Sequence, residues 1–132
     1  MKKSSVLKVF LIITGLLLTF IGGAQLLLPV VMKAESGIDI AGNISVINDV
    51  RAANSLILAL ALLIISGAFV ERLTFTSSLV APLLFLAMGI GRVISLLVDG
   101  QPVDGLLGAT ILELVLGAVG VSLFFLFQRE KQ

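Results

Sequence analysis

The sequence predicts an all-α, polytopic membrane protein: a bundle of four transmembrane helices with both termini cytoplasmic. Hydrophobic residues make up 58% of the 132 residues and charged residues only 13%, whereas a soluble domain is about half apolar and about a quarter charged. The mean hydropathy is +1.20. Four stretches reach the roughly 20 apolar residues that a helix needs to cross a hydrocarbon core. Length, apolar composition and span count therefore agree on the fold class.

The four predicted spans are 9–32, 52–70, 79–98 and 106–127. They are expected to form a single membrane domain over residues 1–132, because no linker or internal repeat divides the chain. The third and fourth spans are joined by the short turn VDGQPVDG and should form an antiparallel hairpin. The segment 33–50 is expected to fold over the outer end of the bundle as a short strand-like or amphipathic cap. Asn48 or Asp49 is expected to cap the second helix.

The first span has some features of a secretory signal peptide. Three lysines lie among the first eight residues, and the small residues Gly22–Gly23–Ala24 offer a cleavage point. The apolar run nevertheless continues to Met32. We therefore expect an uncleaved helix that is kinked near Gly22–Gly23 or Pro29.

The distribution of lysine and arginine predicts the orientation of the bundle. With the N-terminus inside, the basic residues on the inner side are Lys2, Lys3, Lys8, Arg72, Arg129 and Lys131. The outer side carries Lys33, Arg51 and the acidic residues Glu35, Asp39, Asp49, Asp99 and Asp104. Because short cytoplasmic segments carry an excess of lysine and arginine, both termini are expected to be cytoplasmic.

Two charges lie inside predicted spans and are expected to pair. Arg92 lies six residues from the end of the third span, at a depth of about 9 Å, and Glu113 lies nine residues after Asp104, at about 14 Å. The difference of about 5 Å is within reach of an extended arginine side chain. A lone charge at the centre of a spanning helix costs about 2.5–3.5 kcal/mol on insertion scales. Facing each other inside the bundle, the two residues offset that cost.

The residues around this pair predict where it points. Small residues share the helix face of the glutamate: Gly105, Ala109, Gly117 and Gly120. Such residues let backbones approach closely in lipid, so Glu113 should face the inside of the bundle. Two polar stripes lead to the same outer end: Arg92, Ser95 and Asp99 on the third helix, and Asn48, Arg51 and Ser55 on the second. Together they predict an outward-opening polar pocket floored by Arg92 and Glu113, with Arg51 paired to Asp99 or Asp49.

A purely structural role explains the same pair equally well. Arg92 and Glu113 would then form a buried clamp that sets the register of two helices. The small-residue stripe is best explained by packing alone. Ionisable residues inside a membrane mark functional sites by default, so the pocket and the clamp both stay open at this point.

Composition excludes several kinds of chemistry. The chain has no cysteine and no histidine, which removes disulfides, thiol nucleophiles and imidazole proton relays. With no carboxylate cluster either, the sequence predicts no metal and no cofactor. The formal net charge of +1 gives no basis for binding nucleic acid.

Three blocks resemble a known family: NDVRAANSLILALALLI (48–64), GIGRVISLLVDGQP (89–102) and the isolated glutamate of ATILELVLG (109–117). From about Pro29 onward the chain resembles domain of unknown function 4345, a family of small bacterial membrane proteins related to DoxX-like four-helix proteins. The resemblance implies a four-helix bundle in the bacterial cytoplasmic membrane and no settled activity. It groups the residues Asn48, Arg51, Arg92, Asp99 and Glu113 into one constellation. Ala53-Asn54 departs from the glycine pair expected in the family.

Three functions are compatible with these patterns. The first is a non-enzymatic binding or accessory module that holds a lipid, a quinone-like molecule or the helix of a partner protein. The second is a membrane subunit of a quinone- or lipid-linked enzyme, with Glu113 as general acid or base and a partner supplying the cofactor. The third is a small proton-coupled carrier, which would need a homo-oligomer because four unbroken helices lack the usual machinery. Membrane lipid is an expected partner in each.

Overall fold

The computed structural model describes residues 3–132, and within that range it contains five helices and no strand. The helices are α1 (Lys3–Leu27), α2 (Pro29–Glu35), α3 (Ile44–Phe69), α4 (Glu71–Asp99) and α5 (Asp104–Lys131). All except α2 are long and apolar enough to cross a membrane. The all-α fold with four spans is therefore confirmed. The basic residue Lys2 of the predicted inner cluster lies outside the described residues.

The four long helices form an up-and-down bundle. α1 packs mainly against α3, α3 packs against α4, α4 packs against α5, and contacts between α1 and α5 close the ring. One end carries α2 and the connection between α4 and α5; it is called the α2 end below. The other end, called the terminal end, carries the start of α1, the end of α5 and the turn at Val70. The core contains Leu7, Leu11, Leu18, Ala61, Ile64, Ala81 and Phe85.

The first predicted span, 9–32, is broken into two helices. α1 ends at Leu27, Leu28 adopts φ −127° and ψ 56°, and Pro29 opens α2. The residue before a proline is disfavoured in the helical region, and proline itself fits the first turn of a helix. Gly22, the other expected kink position, remains helical. A Cβ there would lie 3.0 Å from a backbone nitrogen of α3, so this glycine serves close packing.

α3 begins well before the predicted second span. Its N-cap is Asn43, whose side chain accepts a hydrogen bond from the backbone nitrogen of Val46 at 3.1 Å. The expectation that Asn48 or Asp49 caps this helix is wrong, because Asn43 already supplies an acceptor earlier in the chain and both residues lie within the helix. Of the two forms expected for the cap over 33–50, the strand-like one is wrong. That segment forms the end of α2, a connection and the first turns of α3.

α4 extends the predicted third span by two turns towards the terminal end, to Glu71. The extension carries hydroxyl side chains that bond to backbone carbonyl groups of α3. Ser77 Oγ donates to the carbonyl oxygen of Leu63 at 2.8 Å, and Thr74 Oγ1 donates to that of Gly67 at 2.8 Å. Because these hydroxyls are satisfied, a less apolar stretch continues as a packed helix. α5 likewise exceeds the predicted fourth span at both ends.

α4 and α5 approach closely at a glycine, which gives a test of the packing. A Cβ at Gly117 would lie 2.7 Å from Leu86 Cγ and 3.2 Å from its backbone nitrogen. Gly117→Val is therefore expected to lower the free energy of unfolding in mixed micelles by about 1–3 kcal/mol, since overpacking shifts side chains and backbone. Gly108→Val is the matched control, because a Cβ at Gly108 meets nothing within 4 Å. Equal losses in the two variants would contradict this packing.

Candidate functional site

The described part of the bundle contains one ion pair, between α4 and α5. Arg92 Nε donates a hydrogen bond to Glu113 Oε2 at 2.8 Å. Glu113 is buried together with Gly117 and Gly120, so this part of the stripe of small residues faces inward as expected, whereas Gly105 at its start is exposed. The predicted pairing of the two intramembrane charges is confirmed.

The two sides of the pair differ in exposure. The side chain of Arg92 is 37% exposed, whereas that of Glu113 is 11% exposed. The bond joins one nitrogen of the guanidinium to one oxygen of the carboxylate, so the terminal nitrogens of Arg92 and the second carboxylate oxygen are not part of it. Arginine carries five N–H donors in all. The pair therefore keeps donor capacity on its exposed side.

The buried side of the pair lies against a cavity of about 80 Å³. The cavity lies between all four long helices. Its lining consists of Leu17, Leu18, Ile21, Ile57, Phe85, Met88, Ala109, Leu112 and Glu113. Eight of these nine side chains are apolar, so the carboxylate is the single charged group in the lining. The Glu113 carboxylate therefore lies between the Arg92 guanidinium and an apolar cavity.

A layer of polar side chains lies beyond this cavity, towards the α2 end: Gln25, Asn54 and Arg92. Each is one helical turn further along its helix than a lining residue, namely Ile21, Ile57 or Met88. Asn54 is buried, and its Nδ2 donates to the carbonyl oxygen of Val50 at 2.8 Å and to Gln25 Oε1 at 3.4 Å. From the sequence, Asn54 was expected only as a departure from the family pattern, and Gln25 was not expected at the site. The sequence did contain a signal for both residues, because a side-chain amide inside a spanning helix commonly forms a hydrogen bond to a neighbouring helix.

α2 brings a second cation near Arg92. Lys33 is half-buried; burial lowers the pKa of its ammonium group, and the charge of the nearby Arg92 guanidinium lowers it further. The segment after α2 lies against the start of α5, where a Cβ at Gly105 would be 3.7 Å from the carbonyl oxygen of Ser36. From the sequence, Lys33 was expected only as a charge on the outer side.

The remaining predicted site residues are all exposed: Asn48, Arg51, Ser55, Ser95 and Asp99. None of them lines the cavity next to Glu113. The expected pairing of Arg51 with Asp99 or Asp49 is wrong. Arg51 Nη1 instead donates to the carbonyl oxygen of Leu26, because the last carbonyl groups of a helix lack partners within it. Asp99 accepts a hydrogen bond from Ser95 Oγ at 2.8 Å. A ligand-binding role for these five residues stays a prediction.

A larger cleft, of about 280 Å³, lies at the terminal end and is bordered by Lys8, Glu71 and Lys131. Its lysines are already placed over aromatic rings. Lys8 Nζ lies 5.4 Å from the ring centre of Phe69, and Lys131 Nζ lies 4.8 Å from that of Phe127. Cation–π contacts of this kind stabilise exposed charges without any ligand. The size of this cleft is therefore not enough to identify it as the functional site.

The chemistry available around Arg92 is that of hydrogen bonding and charge. Within residues 3–132, no group of three or more His, Cys, Asp or Glu side chains is placed to hold a metal ion. The guanidinium and the ammonium donate hydrogen bonds, and the carboxylate accepts them. These groups can bind a polar head group next to an apolar space.

A family model described as domain of unknown function (DUF4345) matches residues 6–124. The chain belongs to the DUF4345 family. The matched region of this DUF4345 member contains Lys33, Arg92 and Glu113, so the candidate site lies inside the part of the chain that defines the family. The family resemblance expected from the three sequence blocks is confirmed. No curated protein and no solved structure matches the chain.

Proposed function

We propose that this DUF4345 member is a non-catalytic membrane module that binds an amphipathic molecule. The polar head contacts the exposed side of the Arg92–Glu113 pair, and the alkyl part lies against the apolar cavity. The observation that carries this proposal is the position of Glu113, which bonds Arg92 on one side and lines a cavity of about 80 Å³ on the other. A purely structural ion pair requires the bond between Arg92 and Glu113, but it does not require an adjoining cavity.

The size of the cavity favours an alkyl chain over a ring. An engineered cavity of about 150 Å³ in another protein binds benzene, and the cavity beside Glu113 has about half that volume. A quinone ring is larger than benzene, whereas an alkyl segment is narrow. The proposed ligand is therefore a lipid-like molecule.

The charges at the two ends of the bundle support one orientation in the membrane. Arg72, Arg129 and Lys131 belong to the terminal end, and Lys33 and Arg51 to the α2 end. This bias supports cytoplasmic termini in a bacterial cytoplasmic membrane, as the positive-inside rule and the family both favour. The site then opens towards the outer leaflet.

Two substitutions test the proposal by native mass spectrometry of protein purified in mild detergent. Ala109→Leu fills the cavity and leaves the ion pair in place, and Arg92→Gln removes the head-group contact. Both are expected to lose a co-purifying amphipathic molecule that the wild type retains. The matched controls are Ala118→Leu on an exposed face of α5 and Arg72→Gln at the terminal end; both should retain it.

The proposal would be overturned if Ala109→Leu and Arg92→Gln both retained the ligand. It would also be overturned if no wild-type preparation contained a ligand. A protein that co-purifies in place of a lipid and is lost in Arg92→Gln would favour an accessory role towards a partner helix. Proton flux into proteoliposomes that disappears in Glu113→Gln would favour the carrier.

A further inference from the structure

The cleft at the terminal end is separate from the Arg92–Glu113 pair and is built by all four long helices. Its volume is about 280 Å³. The lining side chains Leu7, Leu11 and Phe127 are buried, so the cleft has an apolar floor. A cavity of about 150 Å³ holds benzene, and the larger cleft therefore has room for a polar group together with part of an apolar one.

The charged side chains that border this cleft are Lys8, Glu71 and Lys131, which give its lining a net charge of +1. Lys8 Nζ lies 5.4 Å from the ring centre of Phe69, and Lys131 Nζ lies 4.8 Å from that of Phe127. Among the described residues, neither lysine forms an ion pair with Glu71. A ring face attracts an ammonium group but offers no oxygen to its three N–H donors. Both lysines can therefore still donate to an anion.

We infer that this cleft binds an anionic phospholipid, whose phosphate contacts Lys8 and Lys131 and whose glycerol and first acyl carbons lie on the apolar floor. The cleft lies where the spanning helices end, which is the level of the head groups in a bilayer. Basic pockets between spanning helices bind anionic head groups on the cytoplasmic side, the side proposed above for this end. A soluble phosphate ester would meet the lysines but leave the floor uncovered.

Titration of delipidated protein, followed by native mass spectrometry, tests the inference with phosphatidylglycerol and phosphatidylcholine of the same acyl chains. A basic residue near an anionic head contributes about 1 kcal/mol, so the net charge of +1 is expected to favour phosphatidylglycerol about fivefold. Lys8→Gln and Lys131→Gln each bring the charge of the lining to zero and should abolish the preference. Glu71→Gln removes the one acidic group of the lining and should increase it.

Arg72→Gln is the matched control, because Arg72 is exposed at the same end but does not line the cleft; it should keep the preference. Equal binding of the two lipids by the wild type, or an equal loss in Arg72→Gln and the lysine variants, would overturn the inference. Glycerol phosphate that binds as tightly as phosphatidylglycerol would overturn the assignment to a lipid.

The inference does not depend on the ligand proposed for Arg92. Ala109→Leu fills the cavity beside Glu113 and leaves the terminal cleft unchanged, so it should keep the preference for phosphatidylglycerol. A preference that disappears in Ala109→Leu would belong to the other cavity and would overturn the inference while supporting the proposed function.

Discussion

Arg92→Gln is expected to lower the free energy of unfolding by about 2.5–3.5 kcal/mol, the cost of a lone charge in the apolar part of a spanning helix. The substitution leaves Glu113, whose side chain is only 11% exposed, without its cation. Glu113→Gln is expected to cost less, because the Arg92 that it leaves behind is 37% exposed and reaches the polar boundary. Reversible unfolding in mixed micelles measures both variants.

The double variant Arg92→Gln/Glu113→Gln completes the thermodynamic cycle. It is expected to be more stable than the sum of the single losses predicts, because neither charge is left unpaired. Arg72→Gln, an exposed arginine at the terminal end, controls for the general loss of a positive charge. Additive losses in the double variant would show that the two side chains are not energetically coupled.

Phe85→Ala is expected to lower the free energy of unfolding by about 3 kcal/mol and to create a site for benzene. Phe85 is 2% exposed and already lines the cavity beside Glu113. In a soluble core such a truncation costs about 3–5 kcal/mol. The low end of this range applies here because unfolded helices of a membrane protein remain in an apolar medium, so the transfer of the side chain from water contributes little. What remains is mainly the cost of the cavity, about 24 cal/mol per Å³.

The enlarged cavity should bind benzene, as dry cavities of about 150 Å³ do. Benzene should therefore recover part of the lost thermal stability of Phe85→Ala. Phe125→Ala is the matched control, because Phe125 is 60% exposed and its removal opens no internal space. A benzene effect of the same size in both variants would indicate partition into the micelle rather than binding in the cavity.

The ion pair could be predicted from the sequence because the physics of the bilayer leaves few alternatives. Two charges in neighbouring spans, Arg92 and Glu113, are each costly in lipid, and a short turn brings their helices together. The inward direction of Glu113 followed from the small residues on the same helix face. Local spacing and the properties of the bilayer are enough to predict both the pair and its direction.

The two polar stripes were harder to interpret from spacing. Arg51 lies on the expected helix, yet it bonds the carbonyl oxygen of Leu26 and not an aspartate. That acceptor exists because α1 stops at Leu27 and its last carbonyl groups lack partners. A helix break thus changed the partner of a side chain on another helix. Periodicity within one helix contains no information about such a contact.

Composition and hydropathy determined the membrane class, the four spans and the pairing of two charges, because each of these depends on transferring individual residues between water and lipid. The tertiary structure decided the rest. The cavity is the space left between four packed helices, and the bond from Arg51 to the carbonyl oxygen of Leu26 depends on where the chain breaks before Pro29. Both arise from the relative placement of elements distant in sequence, and local patterns do not determine that placement.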